Sequence, residues 1–96
     1  MPKYNFWPGF MRSFKKLTPE QQQLFLAAVR TIVASMKAGK GFPAPPLVEK
    51  LAGHEIWEVR WAANGRATFH LQSDLQTGED IIIWRRIGGH EILANP

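Results

Sequence analysis

The strongest constraint on this chain is a break in periodicity at Phe42-Pro43-Ala44-Pro45-Pro46. Before it, apolar residues recur at helical spacing; after it, they alternate as they do in strands. Three prolines in four positions exclude a regular helix and a central strand there, because each removes a backbone donor and fixes φ. The stretch is a stiff connector from a helical layer to a sheet. With 96 residues the chain reads as one domain, residues 1–96, and one helix layer on one sheet layer is the natural solution at that size. The expected class is α+β, with an N-terminal helical hairpin packed on one face of a small antiparallel sheet.

Ahead of the connector, Tyr4-Asn5-Phe6-Trp7 alternates and is bounded by Pro8-Gly9, which predicts a short edge strand. From Pro8 the spacing turns helical, with Phe10, Met11, Phe14 and Leu17 on one face and Arg12, Lys15 and Lys16 on the other. Thr18-Pro19-Glu20 restarts a helix: threonine caps free amides, proline suits the first helical position and glutamate suits the positive helix end. The second helix is expected from Pro19 to Ala38, with Leu24, Phe25, Ala28, Val29, Ile32, Val33 and Met36 as its apolar stripe. Gly39 stops it. Leu47 to Leu51 is expected to add a helical turn before Gly53.

Behind the connector, Trp57, Val59 and Trp61 share one strand face, and Ala67, Phe69 and Leu71 share one face of the next. A two-residue Asn64-Gly65 turn would put these sets on opposite faces. A three-residue loop Ala63-Asn64-Gly65, with Gly65 left-handed, pairs Trp61 with Ala67, Val59 with Phe69 and Trp57 with Leu71. That register gives one apolar face. Its other face pairs Arg60 with Thr68 and Glu58 with His70. Asp80 to Arg86 forms the third core strand, and Ile81-Ile82-Ile83-Trp84 is apolar on both sides, as a central strand would be. Either Arg85 or Arg86 joins Arg60 and Arg66, and Gly88-Gly89 is expected to bend the chain out of the sheet at His90.

The chain has no cysteine, which removes disulfides, a thiolate nucleophile and a zinc knuckle and suits a cytoplasmic protein. No apolar run approaches the ~20 residues of a membrane span, so a soluble, intracellular protein without membrane contact is expected. Net charge is +4, but residues 1–50 hold eight basic and two acidic side chains, against four and six in residues 51–96. A basic front half suits a polyanion or an acidic partner. His54, His70 and His90 lack ligand spacing and no carboxylate completes a motif, so neither metal nor cofactor is expected.

The segments Trp57-Glu58-Val59-Arg60, Gly65-Arg66-Ala67-Thr68-Phe69 and Arg85-Arg86-Ile87-Gly88-Gly89-His90-Glu91-Ile92-Leu93 resemble the RelE/ParE superfamily of toxins from toxin–antitoxin pairs. The order of helices, proline crossover, strands bearing arginine and a closing Gly-x-His-acidic segment covers nearly the whole chain. The closing segment is most similar to members related to YafQ. The resemblance implies a RelE-like fold, cleavage of messenger RNA on the ribosome, and an antitoxin that blocks it in a toxin–antitoxin hetero-oligomer.

Such cleavage needs no metal, because RNA supplies its own nucleophile, the 2′-OH, beside the phosphorus. His90 is the candidate general acid or base, since imidazole titrates near neutral pH. Arg66 is the candidate stabiliser of the developing charge, and Arg60, Arg85 and Arg86 are candidate phosphate ligands, because guanidinium forks match phosphate oxygens. Lys15 and Lys16 are candidate ribosomal-RNA contacts. His70 reads as a structural partner of Glu58, His54 as exposed and Trp84 as core. The rival readings are a ParE-like inhibitor of DNA gyrase without chemistry, and a degenerate binding module.

Overall fold

The computed structural model describes residues 3–96. Strand β1 (Lys3–Phe6) is followed by helices α1 (Pro8–Lys15) and α2 (Pro19–Lys37), then by strands β2 (Val48–Lys50), β3 (Trp57–Arg60), β4 (Gly65–Ser73) and β5 (Asp80–Gly89). A short 3-10 segment, His90–Ala94, ends this order. The five strands form one sheet in the order β1-β5-β4-β3-β2. The expected sheet was antiparallel throughout; in fact β1 runs parallel to β5, so the sheet is mixed. The helix pair takes the chain back across the sheet, and that crossover is what permits a parallel β1–β5 pair.

Helix α2 begins where the sequence places it. The Thr18 side chain accepts from the Gln21 backbone N–H and the Gln21 side chain accepts from Thr18 N–H, a reciprocal cap that satisfies two free donors. Phe25, Ala28 and Ile32 bury toward the sheet, whereas Leu24 is half exposed. Helix α1 lies against β5, and the two helices meet through Phe10 and Phe14 against Phe25, with ring centroids 5.8 and 6.0 Å apart. They are consecutive helices on one sheet face whose aromatic rings meet.

The core is a chain of aromatic rings over Phe69, which has no exposure. Trp84 lies 5.3 Å from Phe69 and 5.2 Å from Phe25, while Phe42 of the proline connector lies 5.3 Å from Phe69. Trp57 stacks on Phe69 at 5.8 Å. Burying such a side chain contributes ~1.5–3 kcal/mol relative to leaving it in water, and the connector is anchored by that packing. Val48–Lys50, expected to be helical, is instead an edge strand. Val48 pairs with Val59 and buries on the helix-facing side, a tertiary contact that outweighs the local pattern.

The β3–β4 register differs from the expected one by two residues: Val59 pairs with Ala67 and Trp57 with Phe69. Because the slip is even, every side chain keeps its expected face. The cause is Trp61, which leaves the strand and lays its ring on Gly65, where a Cβ would come within 2.6 Å of the indole. Gly65 is therefore required by close approach, not by a left-handed turn. Arg60 now faces Arg66, and Glu58 faces Thr68. A bulge lies between β4 and β5: Thr68 pairs with Arg86 and Phe69 with Trp84, leaving Arg85 as the extra residue. Gly88 and Gly89 stay in the ladder, paired with Arg66 and Gly65, so the expected bend at the glycines does not occur.

Candidate functional site

The helices cover one sheet face, and the other carries polar residues of β3, β4 and β5. At one end Arg66 points onto this open face but is only 4% exposed. Its NH1 donates to the carbonyls of Ala62 (3.2 Å), Ala63 (3.3 Å) and Gly65 (2.9 Å). Its Nε lies 3.0 Å from Glu58 Oε1. That contact is an ion pair by distance while lying off the hydrogen-bond direction, so the Nε–H itself has no aligned acceptor. Arg66 thus gathers the β3–β4 loop and neutralises Glu58.

The loop so held meets the end of β5. Asn64 Oδ1 accepts from the backbone N–H of His90 at 3.4 Å, and the side chain of His90 is exposed. Glu91 folds back to accept from Gly89 N–H at 3.1 Å. Backbone N–H groups of Glu91 and Gly89 hold its carboxyl below the usual carboxylate range, with the charge of His90 adding a smaller effect. A Cβ at 89 would meet the ends of the Glu91 and Asn64 side chains, both exposed and able to move aside. Ile92 is buried against Gly88, so the 3-10 segment lies over the Arg66 end of the open face. On the opposite, helical side a groove of about 610 Å³ runs past Lys16, Gln21, Trp61, Asn64, Gly88 and Glu91.

The middle of this face is built differently. Arg85, the bulge residue, donates from NH1 to His70 Nδ1 at 3.0 Å and from Nε to the Pro96 main-chain oxygen at 3.1 Å. An arginine only donates, so Nδ1 is the acceptor and the imidazole is neutral, with its proton on Nε2. Burial, then the charge of Arg85, lowers the His70 pKa in keeping with that state. Trp7 covers the guanidinium, whose carbon lies 4.0 Å from the ring centroid, and sits 6.0 Å from the His70 ring. Thr68 Oγ1 donates to the same Pro96 oxygen at 3.2 Å.

The structure therefore brings Arg60, Arg66, Asn64 and the His90 backbone to one end of the sheet, and Arg85 and Arg86 to its middle and outer edge. Arg60 and Arg86 are exposed, as are Lys15 and Lys16 at the end of α1. His70 partners Arg85, not Glu58. Trp7 was missed as a site residue, since a tryptophan before Pro8-Gly9 reads locally as the end of an edge strand; only the parallel pairing of β1 with β5 sets it beside Arg85. Among the described residues, no group of three or more His, Asp or Glu side chains is placed to hold a metal ion, and no helix is long and apolar enough to cross a membrane.

No protein-family model and no curated protein sequence matches the chain. Solved structures do. A chain of the RelB–RelE antitoxin–toxin complex from Methanococcus jannaschii aligns with TM-score 0.60 at 15% identity, covering 94% of each chain. The YoeB/ParE toxin from Agrobacterium tumefaciens aligns with TM-score 0.66 at 13% identity over 92% of this chain and 98% of that one. A chain of the E. coli DinJ–YafQ complex aligns with TM-score 0.60 at 10% identity, over 97% and 98%. Through nearly its whole length, the chain has the fold of the RelE/ParE toxins.

Proposed function

We propose that the chain is the toxin of a toxin–antitoxin pair and cleaves messenger RNA on the ribosome, without a metal, in the cytoplasm. The observation that carries this reading is an exposed His90, tied through its backbone to Asn64, at the end of an arginine-bearing sheet face in a fold shared with RelE and YafQ. The 2′-OH attacks the adjacent phosphorus, and His90 transfers a proton to or from the reacting oxygens. Arg60, Arg85 and Arg86 bind phosphate oxygens, with Lys15 and Lys16 contacting ribosomal RNA. Arg66 acts by position: it fixes the loop whose Asn64 anchors His90.

The partner is an antitoxin, as in the RelB–RelE and DinJ–YafQ complexes that share the fold, and the pair forms a hetero-oligomer. His90→Gln is expected to lower cleavage of messenger RNA in a translating extract by ~100-fold or more while leaving unfolding unchanged. Cleavage at the parent rate would remove His90 from the chemistry. One observation favours the gyrase-inhibitor reading instead, namely that Arg66 is engaged by Glu58 and the loop carbonyls. Inhibition of gyrase supercoiling by the His90→Gln protein, with no RNA cleavage by the parent, would select it.

A further inference from the structure

Strand β1 ends at Phe6, opposite Trp84, so the outer edge of β5 is free of a neighbouring strand from Arg85 onward. A pocket of about 200 Å³ opens there, lined by Trp7, Gly9, Ser13, Arg85, Arg86 and Ile87. No carboxylate is in that lining, and among the described residues no side-chain carboxylate pairs with either guanidinium. Arg85 is nonetheless half-buried, pressed between Trp7 and His70. A guanidinium desolvated beside a second one is stabilised by an anion that both can chelate.

Shape and surroundings narrow the anion. A tetrahedral phosphate presents acceptors in several directions to two forks that approach from one strand. Trp7 stands at its mouth and is 41% exposed even with Arg85 on its ring, which leaves indole surface for a planar partner. Aromatic and guanidinium planes together are the means by which proteins hold unpaired bases. We infer that this pocket, between the start of α1 and Arg85–Ile87, seats one phosphodiester of single-stranded RNA, gripped by Arg85 and Arg86, with the adjoining base stacked on Trp7.

The inference rests on the reading of the chain as an RNA-directed toxin, but it is tested apart from cleavage. A fluorescein-labelled 2′-O-methyl oligoribonucleotide, which lacks the nucleophile, is titrated with the full chain and followed by anisotropy over a range of salt. Arg86→Ala is expected to weaken binding and to reduce the slope of log K against log salt by ~0.7, the share of one single-strand phosphate. Trp7→Ala is expected to weaken binding ~5- to 100-fold with the slope unchanged, and Trp7→Phe to restore most of it. Arg86 is exposed and without an ion-pair partner, so its variant reads the site even if Trp7→Ala fails to fold.

Parent-like binding and slope for Arg86→Ala overturn the inference. So does Arg86-dependent binding of an oligoglutamate peptide with none of the RNA, which would assign the pocket to an acidic protein partner. Variant-sensitive RNA binding without cleavage in a translating extract supports the pocket and removes the ribonuclease reading. Cleavage with binding insensitive to both variants does the reverse.

Discussion

Arg66 and the Arg85–Arg86 pair sit on neighbouring strands, within one sheet, in opposite circumstances. Arg66 has an acidic partner, three carbonyl acceptors and almost no exposure. Arg85 has an imidazole, an indole and one main-chain oxygen, and Arg86 is open to solvent beside it. The first arrangement is closed: Glu58 meets its charge and the loop carbonyls meet its NH1, although the buried Nε–H has no aligned acceptor. The second is open and, among the described residues, has no side-chain carboxylate paired with it. A buried arginine held by a carboxylate and loop carbonyls supports structure; a half-buried one without a side-chain carboxylate is where a ligand adds most.

The largest expected effect breaks that comparison if it fails. Arg66→Ala strips a nearly buried Glu58 of its partner and frees three loop carbonyls, so unfolding in denaturant is expected to lose ~3–5 kcal/mol. Arg86→Ala should stay within ~0.5 kcal/mol, as exposed substitutions usually do. Equal losses would show that the two places are not built differently. Next in size is Gly65→Ala, which forces Trp61 off the strand it covers; a loss of ~1–3 kcal/mol is expected, with a changed tryptophan emission. Unchanged stability and emission would mean that the Trp61 ring is free to move and that the register has another cause.

The smallest effect concerns pH beside Arg85. Burial and Arg85 lower the His70 pKa in the folded chain, so the unfolded chain binds the proton more readily. The stability this contributes is present above the unfolded value of ~6.5 and is lost as pH falls through the lower folded value. Denaturant midpoints of the parent are therefore expected to drop between neutral and mildly acidic pH more than those of His70→Gln. Parallel pH profiles would show that His70 is protonated freely and that Arg85 does not hold it neutral.

Local signals made much of the architecture legible. The cap at Thr18, the stop at Gly39, the proline connector and the alternation in β4 each depend on residues within a few positions of one another, and each stands where expected. The even slip of the β3–β4 register spared the faces because alternation has period two. Where the reading failed, distant residues decided. Val48–Lys50 became a strand because β3 offered an edge, and Gly88-Gly89 stayed in the sheet because they pair with Arg66 and Gly65 of β4.

The arginines show the same division. Their placement on strands beside glycines could be read from the chain, and so could the candidacy of His90. Their roles could not. Whether a guanidinium meets Glu58 or Trp7 depends on a two-residue slip, one bulge at Arg85 and a parallel edge strand contributed from the other end of the chain. The sequence by itself determined the helices, the strand faces and the stock of cationic groups, because those follow from short-range periodicity and turn chemistry. Only the tertiary structure decided which charge is neutralised and which is left open, because electrostatic partnership is a matter of distance in space, and these partners meet only when the sheet closes.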